Sequence, residues 1–444
     1  MTPAAAILAT THAVEELLPA VLGQLIVIIG AARLGGFVFQ KLGQSQVVGE
    51  IAAGLLLGPS FFGRCFPAAF AALFPSADAW PEATMAVRMM SELGLILLMF
   101  VVGLEFDFGH LRHSGRAATA VSLMGVLLPG ALGLTLAQLL WSAAAPTCDR
   151  LGFSLFMGVA LSITAIPVLA RIMLELGLTR TRLGVLTMTA AAIDDVLGWT
   201  LLATVSAVVA GGFEPWATLR MLALAGLFVL VAVGIVRPIA KRLLAPALPE
   251  SSEELSIHAL AAVLVLILAA GMATHAIGIH SIFGPFVVGA SLWDEPALRQ
   301  ALGRRLRDFV FAFFVPIFFA YTGLRTDVGT LDTPVLWGCC LLVLAAAVAG
   351  KVLGCGWAAR RFGGLSHAEA GCVALLMNTR GLMALVVIDV GRELHVIPDA
   401  VYCMLVLMAL TTTLMTAPLV KRLLKRVDEL NSSRPRPSVA TSAS

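Results

Sequence analysis

The stretch AAAIDDVLGW, residues 190–199, sets two adjacent aspartates, Asp194 and Asp195, inside a long apolar run. A charged side chain at mid-bilayer costs about 2.5–3.5 kcal/mol even on lenient insertion scales. A chain built for lipid therefore keeps two carboxylates there only for a function. That it is built for lipid follows from composition: 59% of its 444 residues are hydrophobic, 13% are charged, and the mean hydropathy is +0.94. A soluble domain of this length carries roughly 25% charged residues. The net charge of +3 gives no basis for binding nucleic acid. The seven cysteines show no paired metal-ligand spacing and read as free thiols in apolar segments. Glu15 and Glu16 precede the first apolar run where a cleavable signal peptide carries basic residues. No cofactor is expected.

Breaks at charge and turn clusters predict an all-α polytopic membrane protein with about thirteen spans, at 17–39, 46–63, 85–106, 117–141, 151–174, 183–210, 217–237, 255–275, 278–293, 307–324, 334–358, 367–391 and 400–420. The second and ninth are short for a full crossing. With the N-terminus outside, alternate loops divide the basic residues 22 inside to 6 outside, which predicts a cytoplasmic C-terminus. The expected setting is a multi-pass protein of the cell (inner) membrane. The remaining two of the thirty basic residues, Lys351 and Arg380, fall inside helices. Residues 1–424 read as the transmembrane domain and 425–444, ending in NSSRPRPSVATSAS, as a disordered cytoplasmic tail.

The chain also repeats itself. VVGLEFD (101–107) closes the third span and YTGLRTD (321–327) the tenth; VVGEIAAGLLL (47–57) opens the second and IFGPFVVGASL (282–292) the ninth. Gly49 then matches Gly284, and Gly54 matches Gly289. Spans one to six thus correspond to spans eight to thirteen, with the seventh as linker. An odd offset makes the copies enter the membrane from opposite sides, the architecture of secondary transporters with a site at the midplane.

Each copy carries a predicted helix break. In SITAIPVLARI (162–172), Pro167 removes a backbone donor, and Ser162 and Thr164 can satisfy freed carbonyls. In MNTRGLMAL (377–385), Asn378, Thr379, Arg380 and Gly381 interrupt the twelfth span. The bland reading is a proline kink and a buried polar interhelical contact.

Asp194 lies twelve residues from Arg182, about 18 Å along a helix and so near mid-bilayer. Neighbouring helical side chains point about 100° apart, so one aspartate can face a water-filled cavity while the other reaches a neighbouring helix. A buried carboxylate that takes either a proton or a hard alkali cation, but not both, is the core of an antiporter. One aspartate would suffice to glue helices. Lys351 can pair with the acidic residues or snorkel toward the interface beyond Arg360. Arg380 reads as a charge that neutralises carbonyl ends of interrupted half-helices. Glu105 and Asp107 sit near the inner surface as solvated groups or a cation funnel, and His275 and His280 read as solvated interface histidines. Glu50 and Glu92 fall in apolar spans and receive no role from sequence.

Taken in order, QVVGEIAAGLLLGPS, LGLILLMFVVGLEFD, AIPVLARIMLELGL, AAAIDDVLGW, SIFGPFVVGASL, FFVPIFFAYTGLRTDV, GKVLG and ALLMNTRGLMAL resemble the monovalent cation:proton antiporter-2 family over residues 40 to 420. The similarity is greatest to plant and fungal cation/proton exchangers, and more distant to Kef-type potassium exchangers. The resemblance implies the sodium/proton-antiporter fold, a homodimer whose dimerisation domain supports a mobile core domain, and exchange of Na⁺ or K⁺ for H⁺. It makes Asp195 the residue that binds the transported cation and Lys351 the partner of the acidic pair. Asp194, Thr164, Ser162 and Asn378 complete the expected cation/proton site, with Arg380 as a second charge partner. Plant exchangers usually carry Asn-Asp where this chain has Asp194-Asp195, and the antiporters with two aspartates are the electrogenic ones. The nucleotide-binding domain of Kef-type proteins is not expected. A sodium-coupled symporter of an organic anion shares the inverted repeat and is the rival reading. An intramembrane aspartyl protease would need a Gly-x-Gly-Asp stretch, which is absent.

Overall fold

The computed structural model describes residues 3–44, 46–75, 81–105, 115–178, 181–211, 214–244, 256–292 and 295–432. Among them there are helices and no strands. Ten helical stretches are long and apolar enough to cross a membrane. The other predicted spans are a nine-residue helix and two helices broken in the middle.

In chain order the α-helices of eight residues or more are α1 (Pro3–Lys41), α2 (Gln46–Leu57), α3 (Pro81–Glu105), α4 (Arg116–Ala144), α5 (Arg150–Ser162), α6 (Ile166–Glu175) and α7 (Arg182–Ala210). Then come α8 (Pro215–Val231), continued by a π-helical turn into α9 (Arg237–Leu244), and α10 (Ile257–Ile277), α11 (Phe283–Ser291) and α12 (Pro296–Phe309). A second π-helical turn, Val310–Phe314, joins α12 to α13 (Val315–Leu324). The chain finishes with α14 (Pro334–Gly363), α15 (His367–Met377), α16 (Gly381–Glu393) and α17 (Asp399–Ser432).

Local chemistry sets many of these ends. Asp149, Thr181, Ser256 and Thr333 each accept a hydrogen bond from a first-turn amide of α5, α7, α10 and α14. Ser366 and Glu369 form a reciprocal capping box on α15. Gly278 (φ 99°) and Gly364 (φ 61°) close α10 and α14 in the left-handed region. The last helix runs to Ser432, so the tail expected to be disordered from residue 425 begins as helix. Just before it, Leu423 and Leu424 are flanked by Lys421, Arg422, Lys425 and Arg426. Residues 433–444 lie outside the described ones, as does Asp107.

Two bundles result. In one, α2 packs against α1 and α13, while α3 packs against α11 and α13; α10 backs α11. In the other, α4 packs against α14, α5 and α7, and α17 supports α14, α15 and α16. The helix α8 touches α7 and α10 and so joins the bundles.

The repeat survives as matched contacts. A Cβ on Gly54 would strike the backbone of Ala320, and one on Gly323 would strike that of Ile51. In the other copy Gly289 abuts Phe100, and Gly103 abuts Phe286. Under the alignment of the two copies, Ala320 matches Phe100 and Ile51 matches Phe286. The α2–α13 crossing is therefore repeated residue for residue by the α11–α3 crossing. Missing side chains let the backbones touch, as small residues commonly do between membrane helices. Gly289→Ala is expected to overpack its crossing by roughly 1–3 kcal/mol and lower the melting temperature of the detergent-purified protein. Gly30→Ala, where a Cβ meets nothing within 4 Å, should leave the melting temperature unchanged or higher; equal melting of the two variants would contradict the close crossing.

Candidate functional site

The site begins with two interruptions. α5 ends at Ser162 and α6 starts at Ile166; α15 ends at Met377 and α16 starts at Gly381. The two breaks lie against each other, because the Ala165 amide donates to the Thr379 carbonyl at 2.8 Å. At bilayer depth there is no water to take up freed backbone groups, so each must find a partner in the protein.

Side chains supply those partners. Arg380 is fully buried. It donates to the Ala160 carbonyl at 2.9 Å, the Leu161 carbonyl at 2.7 Å and the Ala347 carbonyl at 3.3 Å. A guanidinium on the C-terminal carbonyls of α5 also opposes the negative end of that half-helix. Thr164 donates to the Met377 carbonyl at 2.9 Å, and Ser162 donates to the Gly158 and Val126 carbonyls at 2.7 and 3.0 Å. From α17, Thr413 accepts from the Gly381 amide at 3.1 Å, and Thr416 donates to the Leu375 carbonyl at 3.3 Å.

The carboxylate pair is tied to this crossing through Lys351. Its Nζ lies 2.9 Å from Asp194 Oδ2 and 2.7 Å from Thr164 Oγ1, and all three side chains are buried. Lys351 therefore does not snorkel. Its helix is held close by Gly350, where a Cβ would come within 2.7 Å of Pro129, and by Gly354, where one would lie 2.5 Å from the Met124 carbonyl. The sequence GKVLG thus presses α14 onto α4 and fixes the height of the lysine. Gly125 of α4 makes room for Cys355, whose Sγ would lie 2.7 Å from a Cβ there, with Lys351 and Asp194 just beyond.

Asp195 stands apart. It is 2% exposed, and its Oδ1 makes no hydrogen bond among the described residues. It lies within electrostatic range of Asp194 and Lys351. The Asn378 side chain, within the second break, is fully buried with both amide atoms unpartnered. Such groups are rare in folded interiors.

Of the residues singled out from sequence, the structure joins Asp194, Lys351 and Thr164 directly, and hangs Arg380 and Ser162 on the backbone of the same break. Thr413 and Thr416 were not singled out, although TTTLMT (411–416) inside an apolar span is a visible signal. Glu50, left without a role, is buried 3.4 Å from Arg33 and 3.0 Å from Gln46. His275 is exposed, whereas His280 is not a freely solvated histidine: its Nε2 lies 2.7 Å from Glu393 Oε2 and its side chain is 15% exposed.

Residues 26–426 match the family of transmembrane sodium/hydrogen exchangers. The chain belongs to that family. It is 40% identical, over 91% of its length and 97% of the relative's, to the Na⁺/H⁺ antiporter NhaS4 of Synechocystis. It is 36% identical to cation/H⁺ antiporter 18 of Arabidopsis thaliana, over 93% of this chain but 50% of the longer plant protein. K⁺/H⁺ antiporter 1 of Saccharomyces cerevisiae is 29% identical over 86% of the chain and 44% of its own length. The fold matches the sodium proton antiporter MjNhaP1 of Methanocaldococcus jannaschii at a TM-score of 0.63 and 17% identity, covering 92% of this chain and 99% of that one.

Losing one partner of a buried pair costs about 3–5 kcal/mol, while replacing both is far cheaper. Lys351→Met is therefore expected to destabilise the exchanger strongly, and adding Asp194→Asn to recover most of the loss. Thermal melting of the two single variants and the double variant tests this; strictly additive losses would show that the two residues are not a pair.

Proposed function

We propose that this exchanger carries a monovalent cation, Na⁺ or K⁺, against protons by alternating access, with cation and proton competing for Asp195. The observation that carries the reading is the contrast between adjacent aspartates: Asp194 is held by Lys351, whereas Asp195 has no ion pair among the described residues, and each keeps one buried oxygen without a hydrogen bond. A dry carboxylate with an open oxygen is stabilised by a proton or by a cation. Asn378 and the broken backbone offer further oxygen ligands of the kind hard cations take. The naming of its relatives as Na⁺/H⁺ and K⁺/H⁺ antiporters supports exchange and lends nothing to an organic-anion symporter.

Movement of the α4–α7 and α14–α17 bundle against the α1–α3 and α10–α13 bundle would expose the site to each side in turn, with the crossing breaks travelling as one body. The basic residues support an outside N-terminus and a cytoplasmic C-terminus in the cell membrane, and the family resemblance supports a homodimer. Cation entry at Asp195 displaces its proton and weakens the hold of Asp194 on Lys351, whose ammonium supplies the second proton. Two protons then cross for each cation.

Proteoliposomes carrying an internal pH dye test the reading. External Na⁺ or K⁺ should drive proton movement with the wild type, and Asp195→Asn should abolish it at normal expression and melting temperature. In the same vesicles an imposed potential should alter the wild-type rate, while Asp194→Asn retains exchange and becomes voltage-insensitive. Full exchange by Asp195→Asn would remove this residue from the cation site.

A further inference from the structure

A second constellation lies far from the aspartates, at the end of the molecule that carries Arg64, Arg88, Arg325 and Arg392. Here α3 of one bundle and α16 of the other meet beneath the turn between α10 and α11. Glu92, His280 and Glu393 converge across this seam, each offering a ligand atom within 4.8 Å of the other two. His280 Nε2 is 2.7 Å from Glu393 Oε2, and the Glu92 and Glu393 carboxyl groups bring oxygens within 4.8 Å of each other. All three side chains are partly exposed and border an open cavity of about 620 Å³.

Two carboxylates in contact repel unless a proton or a cation lies between them. Arg88 pairs with the other oxygen, 3.3 Å from Glu393 Oε1, with 43% of its side chain exposed. A divalent ion neutralises both carboxylates at once. One imidazole nitrogen with two carboxylate oxygens is a ligand set for zinc and its first-row neighbours, whereas calcium and magnesium take oxygen alone. Ligands about 2.1 Å from a tetrahedral ion lie roughly 3.4 Å apart, a spacing that small rotamer changes reach from the present one. The fourth position opens to the cavity.

We propose that Glu92, His280 and Glu393 form a binding site for a divalent transition-metal ion of the zinc class, and that the bound ion clamps the two bundles together. Glu393 belongs to the bundle that holds the aspartates, and Glu92 and His280 belong to the other. An ion shared among them opposes any relative movement of the bundles. Arrest of transport rests on the exchange reading above; binding of the metal does not.

The test is titration of the purified full chain in detergent with Zn²⁺ by calorimetry, and with Co²⁺ by visible absorption. One ion per chain is expected, with affinity lowered about tenfold or more by His280→Ala and, separately, by Glu92→Gln. In proteoliposomes Zn²⁺ should slow wild-type exchange relative to a chelator, and the fractional slowing should be lost in His280→Ala. No saturable binding to the wild type, or binding unchanged in both variants, would overturn the site. Binding without slowing in vesicles that exchange normally would overturn the clamp. Binding by a wild type that exchanges no cation would leave the site standing and remove the exchange reading instead.

Discussion

Two helices broken side by side at bilayer depth impose the constraint on which the rest of the structure depends. Their freed carbonyls and amides cannot turn to water, so Arg380, Thr164, Ser162, Thr413 and Thr416 complete them from neighbouring segments. The partners come from both breaks and from α17, which knits α5, α6, α15, α16 and α17 into one body. That body tolerates polar groups in its middle because its own backbone is already satisfied. Asp194, Lys351 and Thr164 then hang from it as a single hydrogen-bonded chain ending on the Met377 carbonyl.

Adjacent aspartates can do different work only because a helix points them apart. Asp194 reaches the lysine that GKVLG presses toward it, and Asp195 is left with an unpartnered oxygen. An ion pair offsets part of the cost of burying Asp194, and no such pair offsets that of Asp195 among the described residues. The repeated glycine crossings give the second bundle a rigid frame of its own, since α2–α13 and α11–α3 touch backbone to backbone. Relative motion of two stiff bodies is then cheaper than deformation of either.

Much of this was legible in the sequence because lipid makes sequence explicit. Charge and turn clusters can stand only at loops, so the span limits followed, and in-register glycines at 54 and 289 announced the repeat. Polar residues in an apolar run have few uses, which singled out the Asp pair, Lys351 and both breaks. What stayed hidden depends on which helices meet. Glu92 on α3, His280 in a turn and Glu393 at a helix end are far apart in sequence, and no spacing joins them. For the same reason His280 read as solvated. Glu50 needed Arg33 and Gln46 to be seen beside it, and Thr413 and Thr416 were ordinary span residues until the break they complete was known. The tail from residue 425 looked disordered by composition, yet α17 continues through it to Ser432.

The central claim is that proton and cation exclude each other at one carboxylate, and equilibrium binding tests it without transport. Purified protein in weakly buffered detergent should release protons when Na⁺ or K⁺ is added. The apparent dissociation constant of that cation should rise as pH falls, by about tenfold per pH unit once Asp195 is protonated and more steeply where the Lys351 proton is displaced as well. A cation affinity independent of pH, with no proton released at saturation, would contradict competition at Asp195.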